Sequence, residues 1–478
     1  MALQSRLSGW MNSNISIYQL SSIIAALIIA YCVGRVVYNL KFHPLSKYPG
    51  PKIAAITDLW WAYASTTGRY PWIIEDALRK YGDIVRIAPN EFVFLTPQAA
   101  KDIYLAQERN MELFVQVGYD ALDTGDGGIS GETDPIKHRQ IAKTLAPAFS
   151  MKNLRAKEGA IHTHLNLFIE KMKAVGTGEQ GAELQRWTDW LALDLSADMT
   201  YGRDVGQMRE MKDSLLLSSA LKLNLFLTMS QVTRKFRLLS PLMYLTIPPS
   251  IWFVLPRLIN MNTQDVKTRI ERRGKTEHLD YFERLIPVGK PIPEDRQHIY
   301  HLENVAGQLL LASWQPLANQ FYSLIFFLLG EPYAYAALVK EIRTAFADSD
   351  QINTETIVDL NYLQACVKES LRLHQDTVDG LPRVSPCALV DGTYIPQGLG
   401  YLSDKLLRFG KKLTLLYGPA QVSPGTLVVT RSSQVRPEIQ GRQFVGFQAV
   451  QPGPERLPWR GHCLDGDSAV YSESVVAI

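Results

Sequence analysis

The chain has 478 residues, 46% of them hydrophobic and 20% charged, which suits a globular protein with a large core and excludes a disordered or fibrous one. Fifty Lys and Arg nearly cancel 47 Asp and Glu, and no basic block appears, so nucleic acid is not an expected partner. The four cysteines, Cys32, Cys366, Cys387 and Cys463, show neither CxxC spacing nor a secreted disulfide framework, which places the main body in a reducing compartment.

Ile15 to Val33 is mostly apolar and long enough to span a bilayer as a helix. Arg35, Lys41, Lys47 and Lys52 follow it and only Arg6 precedes it, so the positive-inside rule puts the body in the cytosol. A cleaved signal peptide is the alternative. Against it, no A-x-A site follows the apolar run, and the basic flank lies after the run. Residues 1–38 therefore read as a membrane anchor. Pro44, Pro49, Gly50 and Pro51 make 39–52 a stiff linker leaving the membrane, because proline fixes φ and blocks helix.

Residues 55–110 mix a helix, Trp72 to Tyr81, with short strands at Ile84-Val85-Arg86-Ile87 and Glu91-Phe92-Val93-Phe94-Leu95. Gly125 to Gly131 is glycine-rich without phosphate-loop spacing and reads as a flexible connection. Asp134 to about Lys275 is mostly helical, with an unusually apolar stretch from Leu221 to Val254. Asn304 to Leu329 predicts a long apolar helix that ends at Gly330-Glu331-Pro332. The next helix runs through Leu338, Ile342 and Phe346. Leu363 to Leu373 then places Glu369 and Arg372 one helical turn apart on one face. Apolar Leu363, Val367, Leu371 and Leu373 predict that this helix is largely buried, and a buried ion pair usually serves a specific architecture. Asp391-Gly392 reads as a turn followed by a short strand.

An E-x-x-R pair alone is usually an ordinary salt bridge. Here the whole phrase, followed by Leu381-Pro382-Arg383-Val384, resembles the K-helix region of a cytochrome P-450. Three further stretches carry the resemblance: the basic, proline-rich hinge, Tyr81 to Asn90, which is similar to filamentous-fungal members, and His138 to Ser150, which is similar to the C helix. The resemblance covers about residues 40–398. It implies a mainly α fold with small β-sheets, with residues 53–398 as the P-450-like domain. It also implies a heme iron, electrons from NADPH through a reductase, and a membrane-bound protein of the endoplasmic reticulum. The implied activity is oxidation of a hydrophobic small molecule, plausibly in secondary metabolism. The pocket would draw on loops around 110–130, 221–254, 308–320 and 380–388, with Leu221 to Val254 as a roof able to dip into membrane lipid.

A heme of this kind needs an apolar slot, cations for its propionates and a cysteine thiolate as axial ligand. The resemblance offers His138, Lys143 and Arg383 as propionate partners, although the arginine usual before Lys143 is replaced by Ala142. On local sequence a surface or salt-bridge role suits these three equally well. Family members carry A-G-x-E/D-T in the central helix. At that place the chain reads Ala312-Ser313-Trp314-Gln315-Pro316-Leu317, so Gln315 cannot act as an acid and Pro316 carries no hydroxyl. Pro316 is expected to open or kink the helix. Heme-thiolate isomerases and dehydratases are the family precedent for losing this pair.

The thiolate motif F-x-x-G-x-R-x-C-x-G is absent after Gly398, where Cys463 is the sole cysteine and has the wrong spacing. The genetic code offers a reason. Read one base later, the codons for Gly418 to Val428 permit D-P-H-K-F-R-P-E-R-W-L, the family's meander. Those for Val450 to Trp459 permit F-S-L-G-P-R-G-C-L-G, with the cysteine where Leu457 stands. Residues 399–478 thus read as an aberrant tail from a shifted frame. Three readings remain open: a monooxygenase once the frame is restored, an oxygen-independent isomerase or dehydratase, and a non-catalytic membrane-bound remnant.

Overall fold

A computed structural model describes residues 17–105, 107–108, 111–112, 114–116, 126–175, 182–236, 248–374, 382–396 and 412–415. The fold is mainly helical with small sheets, as the sequence predicts. Its contacts divide it into two units, 1–94 and 95–478.

The first unit opens with α1 (Ile17–Val37), an exposed helix that is long and apolar enough to cross a membrane. A short π-helical turn, Tyr38–Phe42, follows, then α2 (Lys52–Ile56), α3 (Leu59–Thr66) and α4 (Tyr70–Tyr81). Strands β1 (Ile84–Ala88) and β2 (Glu91–Phe94) pair antiparallel. The hinge is not a free linker. Asn39, His43 and Leu45 are buried, and Arg86, itself 2% exposed, donates to the Asn39 carbonyl at 3.0 Å and the Pro89 carbonyl at 2.8 Å. The Arg86 amide reaches the Pro49 carbonyl at 2.8 Å. Gly50 is required there, since a Cβ would lie 2.3 Å from the Arg86 carbonyl oxygen. Burial lowers the Arg86 guanidinium to about 10.

The second unit begins with α5 (Pro97–Ala100) and the short strands β3 (Gln107–Glu108), β4 (Met111–Glu112) and β5 (Val115–Gln116). The helical body comprises α6 (Pro135–Leu145), α7 (Met151–Val175), α8 (Leu184–Tyr201), α9 (Gln207–Glu210), α10 (Leu215–Lys235) and α11 (Pro249–Glu271). It continues with α12 (Phe282–Leu285), α13 (Arg296–Gly330), α14 (Pro332–Ala345) and α15 (Asn361–Leu373). Helix α13 is the spine, and α8 lies along it. Ala192 and Leu193 pack against Trp314 and Ala318, and Tyr201 joins Leu302 and Ala306. Helix α10 also passes the length and apolarity test for a membrane span, but its Leu216 joins this core. Gly330-Glu331-Pro332 does separate α13 from α14, and Phe346 lies just past α14 as its C-cap.

The remaining strands are β6 (Arg383–Val384), β7 (Ala388–Val390), β8 (Thr393–Ile395) and β9 (Lys412–Leu415). Strand β6 pairs with both β5 and β9. Strands β7 and β8 form a two-residue hairpin through Asp391 and Gly392, both at positive φ, the conformation an Asp-Gly hairpin turn demands. Its turn is pinned: Thr96 donates to Asp391 at 2.7 Å, and the Asp391 amide donates to Asp102 at 2.8 Å.

Candidate functional site

Helix α15 is less buried than its sequence predicts. Cys366 and Ser370 face α13 and α14, but Leu371 is 49% exposed. Glu369 and Arg372 form the expected pair, Nη2 to Oε1 at 2.7 Å and Nε to Oε2 at 2.8 Å. Their side chains are 18% and 44% exposed. The stretch carries apolar residues at 363, 367, 371 and 373, and only one flank of this set meets a neighbouring helix. Helical spacing sets Arg372 about 140° from the Cys366–Ser370 contact, so its side chain lies away from it. The hydrogen bond and charge of Glu369 raise the Arg372 guanidinium further.

Two polar contacts tie α15 to α13. Ser323 and Ser370 hydroxyls meet at 3.1 Å, and Gln320 donates to the Val367 carbonyl at 3.5 Å. This places the E-x-x-R helix beside the C-terminal half of the spine. Gln315 and Pro316 lie just upstream. The α-helix runs unbroken through Pro316, so the expected opening is not seen as an interruption. Gln315 is exposed, while Trp314 beside it is buried against α8. At 100° per residue, Leu311, Gln315 and Ala312 follow one another around an arc of about 100° to one side of that contact. Leu311 is 44% exposed on this arc.

Helix α6 carries His138 and Lys143. Five residues on a helix turn about 140°, so the two do not share a face. His138 is half-buried and Lys143 is exposed. Ala142 occupies the position one turn from His138, where an arginine would have shared its face. Arg383 sits in the middle strand of three, and its guanidinium lies 5.3 Å from the centre of the Tyr104 ring. The structure thus brings Glu369 and Arg372 together and sets Gln315 and Pro316 on α13, against which α15 packs through Ser370 and Val367. Leu457 and Cys463 lie outside the described residues, as do 117–125, 237–247 and 380–381 of the expected pocket stretches.

Sequence reasoning missed one constellation beside these residues. The glycine-rich loop is not a loose connection. Gln308 on α13 accepts from the amides of Ile129 at 2.8 Å and Ser130 at 3.0 Å, and donates to the Gly127 carbonyl at 2.8 Å. Asn304 donates to the Asp126 carbonyl at 3.0 Å, and His301 Nδ1 lies 3.0 Å from the Asp126 carboxylate. The signal was available: polar residues at 301, 304 and 308 repeat along one face of an otherwise apolar helix.

None of the described thiols lies in the motif expected of an axial heme ligand. Cys32 belongs to the apolar span α1. Cys366 is buried with Leu328, Ala334 and Leu338, and burial raises its thiol pKa, the wrong direction for a thiolate. Cys387 Sγ lies 2.9 Å from the Tyr394 hydroxyl. No step through a heme follows from these residues.

Comparison with known proteins agrees with the fold. The profile described as Cytochrome P450 matches residues 60–400. A "Cytochrome P450 monooxygenase TwmD" from Talaromyces wortmannii is 44% identical over 392 residues, covering 82% of this chain and 77% of the relative. "Cytochrome P450 monooxygenase btcC" from Colletotrichum orbiculare is 32% identical over 79% of this chain and 72% of that protein. "Cytochrome P450 monooxygenase poxC" from Penicillium oxalicum is also 32% identical, over 78% and 70%. With the E-x-x-R pair formed and a match across most of its length, the chain belongs to the cytochrome P450 family.

Proposed function

We propose that this chain derives from a membrane-anchored fungal P450 monooxygenase that oxidises a hydrophobic small molecule in secondary metabolism, and that the polypeptide as written takes up little or no heme. The observation that carries the second half is the contrast within the site. The Glu369–Arg372 pair is intact, yet none of the described thiols lies in the F-x-x-G-x-R-x-C-x-G motif that supplies the thiolate this chemistry needs. The family match ends at residue 400, where the shifted-frame reading begins.

Several features support the first half. The three relatives named above are monooxygenases by name. Helix α1 is apolar enough to anchor the chain, and Arg35, Lys41, Lys47 and Lys52 follow the apolar run, which favours a cytosolic body on the endoplasmic reticulum. In a frame-restored enzyme, Glu369 and Arg372 would brace the heme-binding loop. His138, Lys143 and Arg383 would then meet the propionates. An NADPH-dependent reductase would supply electrons to the heme. Leu225, Leu227, Trp252 and Phe253, all exposed, give the roof segment an apolar surface for lipid.

A second reading has one specific observation in its favour. Gln315 presents an amide, and Pro316 no hydroxyl, on the face where an acid and an alcohol would relay protons. This favours an oxygen-independent isomerase or dehydratase, which also needs the thiolate.

Sequencing the transcript across the codons for Pro396 to Tyr401 tests the proposal. Codons that spell both shifted motifs support a displaced frame. Codons incompatible with them sink it and leave a non-catalytic membrane-bound protein.

A further inference from the structure

Gln308 commits three of the four hydrogen-bonding positions of its side-chain amide to one loop. Its oxygen accepts from two consecutive amides, Ile129 and Ser130, and its nitrogen donates to the Gly127 carbonyl. Only this orientation of the amide satisfies all three partners, so the contact is two-sided and directional. The loop is shaped for it. Gly128 has φ +58, and a Cβ there would lie 2.5 Å from Gln308 Oε1. Gly127 and Gly131 approach so closely that a Cβ on Gly127 would lie 2.3 Å from the Gly131 carbonyl carbon. The Gly131 amide donates to the Gly127 carbonyl at 2.8 Å, closing the turn. Ile129 then drops onto Leu145, Val305 and Leu309.

The same helix face continues toward the spine's centre. Residues 308 and 315 are seven apart, two turns and about 10 Å along the axis, with less than a quarter turn between them. Gln308 and Gln315 therefore project from one face of α13. We propose that Gln308 is a positioning residue of the substrate pocket, which holds the 126–131 loop as a fixed wall beside the Gln315 face, with Asn304 and His301 as secondary ties. This rests on the reading above that the loop and this stretch of α13 line a pocket for an apolar molecule. The binding class it implies is an apolar molecule held against a rigid wall, since three of the four hydrogen-bonding positions of Gln308 already serve the loop.

The test uses the full chain in detergent. Gln308→Met keeps the side chain's length and removes all three hydrogen bonds. Hydrogen exchange at the Ile129 and Ser130 amides should accelerate about tenfold or more, in line with losing one net hydrogen bond at each. Asn304→Ala should leave those two amides protected, because Gln308 remains. Saturable Nile red binding supplies the second readout, with Gln315→Trp as the check that the dye occupies this face. Gln308→Met should weaken the dye severalfold. Unchanged exchange in Gln308→Met overturns the clamp. Faster exchange with unchanged dye affinity overturns the positioning role. Dye binding indifferent to Gln315→Trp overturns the pocket reading and the positioning role with it, while the exchange result still judges the clamp. If Gln308→Met unfolds α8 and α13 as well, Gln308→Glu decides: its oxygens still accept from both amides, and loss of protection there despite a folded spine overturns the assignment.

Discussion

His164 and His278 donate to opposite oxygens of one carboxylate, Asp198, at 3.0 and 2.8 Å. The three side chains come from α7, α8 and the connection between α11 and α12, and all are at most 17% exposed. Burial opposes ionisation of Asp198, but the two imidazole hydrogen bonds outweigh it and hold the carboxyl well below the usual range. The hydrogen bond that His278 donates to Asp198 raises the imidazole above its ordinary value.

The first prediction concerns this clamp. A raised His278 contributes stability that is fully present below the ordinary imidazole value of about 6.5. That contribution is lost as pH rises through the elevated value. The depressed Asp198 contributes stability that is present above about 3.9 and is lost as pH falls through its lowered value. The clamp should therefore be strongest between about pH 4 and 6.5. Asp198→Asn should cost about 2 kcal/mol in that window and less at pH 8, read by denaturant unfolding at both pH values.

Lys157 is the converse case. It is 3% exposed, its Nζ lies 3.9 Å from the Tyr281 ring centre, and burial lowers its pKa to about 8. A lowered lysine disfavours folding while charged, so stability should rise as pH climbs through 8 toward the unfolded value of about 10.4. Lys157→Met should abolish that rise and stabilise the protein by roughly 1–3 kcal/mol at pH 7. Thermal unfolding at pH 7 and pH 9 measures both effects.

At the hinge, Gly50→Ala forces a Cβ into the Arg86 carbonyl. Backbone cannot yield as a flexible side chain would, so the expected loss is about 1–3 kcal/mol in the first unit. Proteolysis near residue 50 should accelerate in the variant, and unchanged cleavage would show that the hinge is not docked on Arg86.

The E-x-x-R pair should matter little to this polypeptide. Arg372 is 44% exposed, and exposed pairs are worth less than about 1 kcal/mol. Glu369→Ala should therefore shift the unfolding midpoint only slightly. A loss of several kcal/mol would mean that something buries the pair.

The sequence announced whatever depends on neighbours in the chain. Proline and glycine at 330–332 separate two helices, and Asp391-Gly392 forms the two-residue hairpin turn. The apolar run near the N-terminus becomes α1. Contacts between distant segments were hidden. Gln308 reaches a loop about 180 positions earlier, and Asp198 gathers histidines 34 and 80 positions away. Neither leaves a local pattern beyond a polar residue on an apolar face. The prolines of the hinge predict a stiff linker, but its contacts with Arg86 on the first strand come from a distant segment. The burial of α15 was overestimated because helical spacing tells which residues share a face but not whether a partner covers it. Of the candidate site, the carboxylate–guanidinium pair could be read directly, since both members lie within one turn.

The chain belongs to the P450 family, and its proposed lack of a usable thiolate is open to direct measurement. The most direct measurement is the carbon-monoxide difference spectrum of the reduced, purified full-length chain, expressed with added heme precursor. The account predicts no thiolate-type band. A normal thiolate-type band, at a heme content near one per chain, would contradict it.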